Sequence, residues 1–334
     1  MHQNDGSLCE RIQFMPEILR PNKFNIERAA HALKNGSLIG LPTETVYGLA
    51  ADAENEKSVK RIFEVKGRPS NHPVIVHIGA IDYIEKWAID IPEYAKKLAN
   101  AFWPGPMTLI LKRSKLAKDC VTGGQESIGL RIPKNQVALS IINEFHKIGG
   151  NGVAAPSANK FGAVSPTDAL SVVEELGMKL NINEDLIIDD GPSDIGIEST
   201  IIHCLSSEPE ILRPGAITKS QVFQELKREF NKQILSLEIR FSGNLKNHYS
   251  PKAKIVIDGE PVSGDGYLAL SSLETPQGCI RIASPSNSYD FAKCLYSSFR
   301  KADQLGIRRL FIVPPLGDGI ELAIQERVNK ASAD

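Results

Sequence analysis

Ser37-Leu38-Ile39-Gly40-Leu41-Pro42-Thr43-Glu44-Thr45-Val46-Tyr47-Gly48-Leu49 reads as a short buried strand, Ser37–Leu41, that stops at Pro42 and opens into a polar turn. Thr43, Glu44, Thr45 and Tyr47 follow the strand's end, which is where α/β proteins bind ligands. A polar turn with Tyr47 packed beneath it is the plainer account. Upstream, Asn25 followed by Ile26–Gly36 predicts a helix with an Asn cap and a terminal Gly. Downstream, Val59, Ile62 and Phe63 recur at helical spacing, so Lys57–Lys66 is a helix that ends at Gly67. Lys66 and Arg68 therefore leave a helix C-terminus, where cations complement the macrodipole.

Strand-like segments continue at Pro73–Ile78, Met107–Leu111, Ile128–Ile132, Leu186–Ile188, Ser199–His203 and Glu210–Leu212. Helices are predicted at Ile91–Phe102, at Gln136–His146, from a Thr167 cap through Leu176, and near Gln221–Phe230. Several strands are separated only by turns, which predicts a mixed α/β sheet with antiparallel pairs, not a pure βαβ repeat. A polar stretch runs to Pro251. Strands at Ile255–Ile257, Tyr267–Leu270, Ile280–Ala283 and Leu310–Val313, with helices at Asp290–Leu305 and Gly319–Val328, then make a second, smaller α/β domain. The expected division is 16–220, a linker over 221–252, and 253–334.

A chain of 334 residues suits two domains. Its net charge of −1 gives no global attraction to nucleic acid or membrane. The five cysteines lack a Cys-x-x-Cys spacing and read as reduced thiols of a cytoplasmic protein. No apolar run approaches the length that crosses a bilayer. His72, His77 and His203 form no metal or triad array, and neither a Walker loop nor a dinucleotide fingerprint is present.

The chemistry-bearing groups each allow two accounts. Lys66 and Arg68 are solvated helix-end charges or a clamp for a triphosphate, Arg as a planar fork and Lys as a point charge. Ser157, Asn159 and Ser165 are turn residues or a phosphate or ribose cradle. Arg131, within the apolar Gly129-Leu130-Arg131-Ile132-Pro133, and Arg213, in Leu212-Arg213-Pro214-Gly215, form salt bridges or grip a substrate carboxylate.

Together these segments resemble the threonylcarbamoyl-adenylate synthases of the YrdC-like superfamily, in the longer two-domain form. The Lys-x-Arg and Ser-x-Asn signature stands at Lys66/Arg68 and Ser157/Asn159. The Pro-Thr-Glu-Thr-Val-Tyr-Gly-Leu, Trp-Pro-Gly-Pro, Arg-Ile-Pro, Ser-Pro-Thr, Glu-Ser-Thr-Ile and Leu-Arg-Pro-Gly segments occur in the family's order. The resemblance implies a twisted mixed sheet with a concave site plus a small Rossmann-like C-terminal domain. It implies that ATP, L-threonine and bicarbonate give threonylcarbamoyl-AMP and pyrophosphate, for transfer to tRNA beside the anticodon by a downstream transferase.

By that similarity Lys66, Arg68, Ser127, Ser157, Asn159, Ser165 and Arg213 bind ATP, with Lys66 and Arg68 the catalytic cations. Thr43, His72, Arg131 and Ser199 hold threonine. Mg²⁺ rides on the phosphates, with no protein ligand cage. His248 and Tyr249, in His248-Tyr249-Ser250-Pro251, belong to a linker lid, although Gly243-Asn244-Leu245-Lys246-Asn247 departs from the family's Gly-Met-Lys/Arg-x-x-His-Tyr. Truncation near residue 240 is expected to lower activity while sparing the first domain's fold. The rival classes are a non-catalytic double-stranded RNA-binding module, for which the Lys57–Arg68 cluster is the candidate contact, and a carbamoyl-transfer enzyme like the hydrogenase-maturation protein, whose extra segments have no counterpart here.

Overall fold

The computed structural model describes residues 16–227, 240–241, 243 and 249–333. The larger sheet contains β1 (Glu17–Leu19), β2 (Ile39–Leu41), β3 (Gly48–Asp52), β4 (Ile75–His77), β5 (Met107–Lys112), β6 (Ser127–Arg131), β7 (Val153–Ala154), β8 (Leu186–Ile188), β9 (Thr200–His203) and β10 (Glu210–Arg213). Their order is β1-β8-β2-β3-β7-β4-β6-β5-β9-β10. Parallel pairs (β1/β8, β2/β8, β4/β6, β5/β9) mix with antiparallel ones (β2/β3, β3/β7, β4/β7, β5/β6, β9/β10). The mixed character expected from the turn-separated strands is present.

Side-chain alternation explains why both faces of this sheet are covered. In β3, Leu49 and Ala51 join one core cluster while Ala50 joins another; in β8, Ile187 faces the first and Leu186 and Ile188 the second. The first cluster is closed by α2 (Glu56–Lys66) through Val59, Ile62 and Phe63, and by the helix Glu93–Phe102 through Ala95 and Leu98. The second is closed by α1 (Lys23–Lys34), through Ala29, Ala30 and Leu33, and by the helix Gln136–Lys147, through Ile141, Ile142 and Phe145.

Two caps differ from the sequence expectation. The first helix starts a turn earlier than Asn25, because Asn22 caps it by accepting from the Asn25 amide at 2.9 Å. The helix Ala169–Leu176 is capped by Asp168, which accepts from the Ser171 amide at 2.7 Å. Thr167 instead lends its carbonyl to the Ser193 amide. An aspartate one position on wins because its side chain reaches the open first-turn amides. Gly67 ends α2 as expected, with φ 63° in the left-handed region.

The smaller sheet is wholly parallel: β11 (Lys254–Val256), β14 (Arg309–Ile312), β12 (Gly266–Leu268) and β13 (Ile280–Ala283), in that order. Its helices Ser288–Gln304 and Ile320–Ser332 share one core cluster with Leu268, Leu310 and Ile312. Val46, Val164 and Ile197 of the larger unit belong to that same cluster, so the two units share a continuous apolar seam. Gly196, at φ 81°, lies so close to the helix Ser288–Gln304 that an added Cβ would stand 2.5 Å from the Lys293 Cα. No helix among the described residues is long and apolar enough to cross a membrane.

Candidate active site

Three loops at the ends of central strands are tied together by main-chain bonds. The Tyr47 amide donates to Pro166 O at 2.8 Å, the Ala158 amide to Tyr47 O at 2.8 Å, and the Ile195 amide to Glu44 O at 2.8 Å. Tyr47 is fully buried beneath them and donates its hydroxyl to Gly191 O at 2.7 Å. The Ser193 hydroxyl donates to Thr43 O at 2.9 Å. The polar turn after β2 is thus half of a built site, with Tyr47 as its pin.

The loops enclose a small polar cleft of about 60 Å³. Thr43, Thr45, Arg68, His77, Arg131, Ser157, Glu198, Ser199, Arg213, Gly243 and Tyr249 are among its lining residues. Seven of the residues expected from sequence therefore meet in one place: Thr43, Arg68, Arg131, Ser157, Ser199, Arg213 and Tyr249. Lys66 sits behind the wall, its ammonium donating to Ser157 O and Asn159 O at 2.5 Å each. Ser165 is also set back, its hydroxyl donating to Glu198 Oε1 at 2.7 Å. His72 does not line the cleft; it packs edge-on against Phe161 at 5.5 Å. Ser127 begins the strand that Arg131 ends, so the strand rise places them about 13 Å apart. His248 lies outside the described residues.

Arg131 shows how the expected turns act. It is buried, yet its guanidinium is held from two sides: Nη1 donates to Thr45 Oγ1 at 2.9 Å and Nε to Gly105 O at 3.3 Å. Nη2 stands 2.7 Å from Glu44 Oε1, an ion pair without hydrogen-bond alignment. The salt bridge and the site are both real here, because Glu44 does not line the cleft whereas Arg131 does. Thr43 has a supporting part: its hydroxyl donates to Val46 O at 2.6 Å and shapes the turn that presents Thr45. Arg213 donates through Nε to Ser199 O at 3.0 Å and through Nη2 to Ser199 Oγ at 3.2 Å, which couples β10 to the start of β9.

The electrostatics favour an anion. Burial, then Arg68, pulls the Lys66 ammonium well below its ordinary pKa. Burial, then Arg213, lowers that of Arg68. Each cation is thus made costlier by the next, a repulsion that a bound polyanion relieves. Burial, followed by Arg131, pushes His77 down to about 3, so its imidazole is neutral near pH 7. Burial lowers His72 as well, with Arg68 and Arg240 contributing. Thr45 lay in the polar turn already marked as a ligand-binding position, whereas His77 and Glu198 were missed as cleft residues. Glu198 stood inside a quoted motif, and His77 carried no signal beyond its position near a strand end.

Two family models match the chain: one described as telomere recombination over residues 31–215, and the threonylcarbamoyl-AMP synthase C-terminal domain over residues 216–333. The chain is 39% identical to the threonylcarbamoyl-AMP synthase of Bacillus subtilis, covering 94% of each chain. It is 34% identical to that of Pyrococcus abyssi, over 94% of this chain and 95% of the other. The crystal structure of P. abyssi Sua5 complexed with L-threonine is similar with a TM-score of 0.80 at 30% identity, over 95% of this chain and 97% of that one. With the cleft, the motif order and both domains in agreement, the chain belongs to the threonylcarbamoyl-AMP synthase family in its two-domain form.

Proposed function

We infer that the cleft joins ATP, L-threonine and bicarbonate into threonylcarbamoyl-AMP with release of pyrophosphate, and that the protein is an adenylyl-transferring enzyme of tRNA modification. The observation that carries this reading is the convergence of Arg68, Arg131 and Arg213 on one cleft between loops that tie to one another.

The threonine amine attacks carbon dioxide and loses a proton, or attacks the bicarbonate carbon with a C–O bond breaking and water leaving; either way a carbamate forms. A carbamate oxygen then bonds to the α-phosphorus while the bond to the pyrophosphate oxygen breaks. No protein nucleophile is required. The chain's task is to hold two anions together and to neutralise charge as it moves to the leaving group. Arg68 and Arg213 are the phosphate-facing cations. Lys66 fixes the Ser157–Asn159 loop that forms the wall beside them. Ser127, at the far end of β6, suits the distal part of an extended nucleotide. Arg131 takes the threonine carboxylate, with Thr43 and Ser199 around it.

Ser165 spends its hydrogen on Glu198 and is fully buried behind the cleft, so it supports that carboxylate and does not act as a phosphate donor. Mg²⁺ enters as part of the MgATP substrate, and its charge supplements the arginines on the phosphates. Among the described residues no trio of His, Cys, Asp and Glu converges as a cage for it.

The carbamate and the mixed anhydride are both labile, so water must be kept out. Gly243 and Tyr249 already line the cleft, and the linker that carries them is the proposed lid, with His248 beside Tyr249. The labile product favours a transient encounter with the tRNA-modifying transferase, in the cytoplasm where ATP and tRNA meet.

Pyrophosphate release with ATP tests the reaction, with threonine and bicarbonate omitted in turn. Release should depend on both. Release indifferent to either omission would end this reading. Arg68→Ala should reduce the dependent signal by roughly 100-fold or more, the scale of losing a transition-state charge contact.

A further inference from the structure

Glu198 lines the same cleft as Arg68, Arg131 and Arg213, so a carboxylate faces the path of a polyphosphate. Its charge is nonetheless kept. Burial would raise its pKa, but Arg327, then Arg213, hold it down at about 2, with hydrogen bonds from Ser165 and Arg327 assisting. Both of its oxygens are held: Oε1 accepts from Ser165 Oγ at 2.7 Å, and Oε2 accepts from the Tyr296 hydroxyl and from Arg327 Nε at 2.9 Å each.

Two of those donors, Tyr296 and Arg327, come from the small C-terminal domain. Arg327 is completely buried. It also donates to Pro214 O at 3.1 Å, beside Arg213, and its guanidinium lies 5.5 Å from the ring centroid of Tyr249. Its other ionic neighbour is Glu326, which pairs in turn with Lys330. Glu198 therefore stands within the field of two arginines, one behind the wall and one inside the cleft.

We propose that Arg327 is a positioning residue for nucleotide binding: it captures Glu198 from behind, so that the carboxylate does not turn to Arg213 and compete with the phosphates for it. The small domain on this account completes the electrostatics of a site that it does not itself line with Arg327. The proposal rests on the cleft being the ATP site. Removing one member of a buried ion pair leaves an uncompensated charge that seeks another partner, and Arg213 is the cation Glu198 would find.

The test is calorimetric binding of ATP and, separately, of threonine to the full chain. Arg327→Met should weaken ATP about tenfold or more, equivalent to about 1.4 kcal/mol, while threonine changes by less than about twofold. The double variant Arg327→Met/Glu198→Gln, with no carboxylate left to misdirect, should return ATP affinity to within about threefold of wild type.

Unchanged ATP affinity in Arg327→Met overturns the proposal. So does a double variant as weak as the single one, since a purely structural role predicts no rescue. Should Arg327→Met fail to fold by circular dichroism, the double variant decides: affinity within about threefold supports the proposal, and a loss of about tenfold or more overturns it. A wild-type chain that binds no ATP would instead remove the proposed function, and this inference with it.

Discussion

His77 sits in the cleft as a neutral base whose burial, ahead of the field of Arg131, lowers its pKa from 6.5 to about 3. Between these values the unfolded chain binds a proton that the native state refuses, so native stability falls as the pH drops below 6.5. Urea unfolding at pH 7.5 and pH 5.5 should show wild type losing about 1 kcal/mol more than His77→Gln over that interval. Equal losses in the two proteins would refute the buried neutral imidazole. Residue-scale chemistry was only partly legible in the sequence. Arg131 was readable as a site group because an arginine amid apolar strand neighbours needs an anion. That its anion would be Glu44 on one side and a cleft on the other was not readable, since strand pairing across the sheet decides which groups meet.

At the scale of elements, strand ends do the assembling. Gly215 follows β10, and its Cα approaches β9 so closely that an added Cβ would lie 2.4 Å from the Thr200 amide nitrogen. This close approach lets Arg213 reach Ser199 across the two strands. Gly215→Ala should therefore part the strand ends, costing about 1–3 kcal/mol in stability and weakening ATP binding together. A variant with wild-type melting temperature and affinity would show that the approach is unimportant. Periodicity and punctuation placed most elements near their observed ranges, because buried strands and amphipathic helices carry their own signal. Caps were less legible: Asn22 displaced Asn25, and Asp168 displaced Thr167, since neighbouring residues of equal capping chemistry compete and local geometry chooses between them. Sheet order was not legible at all. The neighbours β3/β7 and β5/β9 are distant in sequence, and only the shared core brings them together.

At the scale of the whole molecule the two units are bound by an apolar seam as well as by the ionic contacts of Arg327. Val46, Val164 and Ile197 pack with the small domain's core, so truncation after residue 240 would bare them. The truncated chain should lose most activity and also melt several degrees lower, as roughly 1–2 kcal/mol of burial is forfeited for each such side chain. Undiminished activity in it would contradict the linker's part in closing the site. The linker has anchors on both sides. Arg240 donates to Asn71 O at 2.6 Å and Gly123 O at 2.9 Å on the large unit, while Lys330 of the small one donates to Gly243 O at 2.6 Å. Three residue steps can stretch no more than about 11 Å. That segment is a short leash: the units cannot separate farther along it without unfastening one end, and the strength of the weaker fastening would then set how often a finished product escapes.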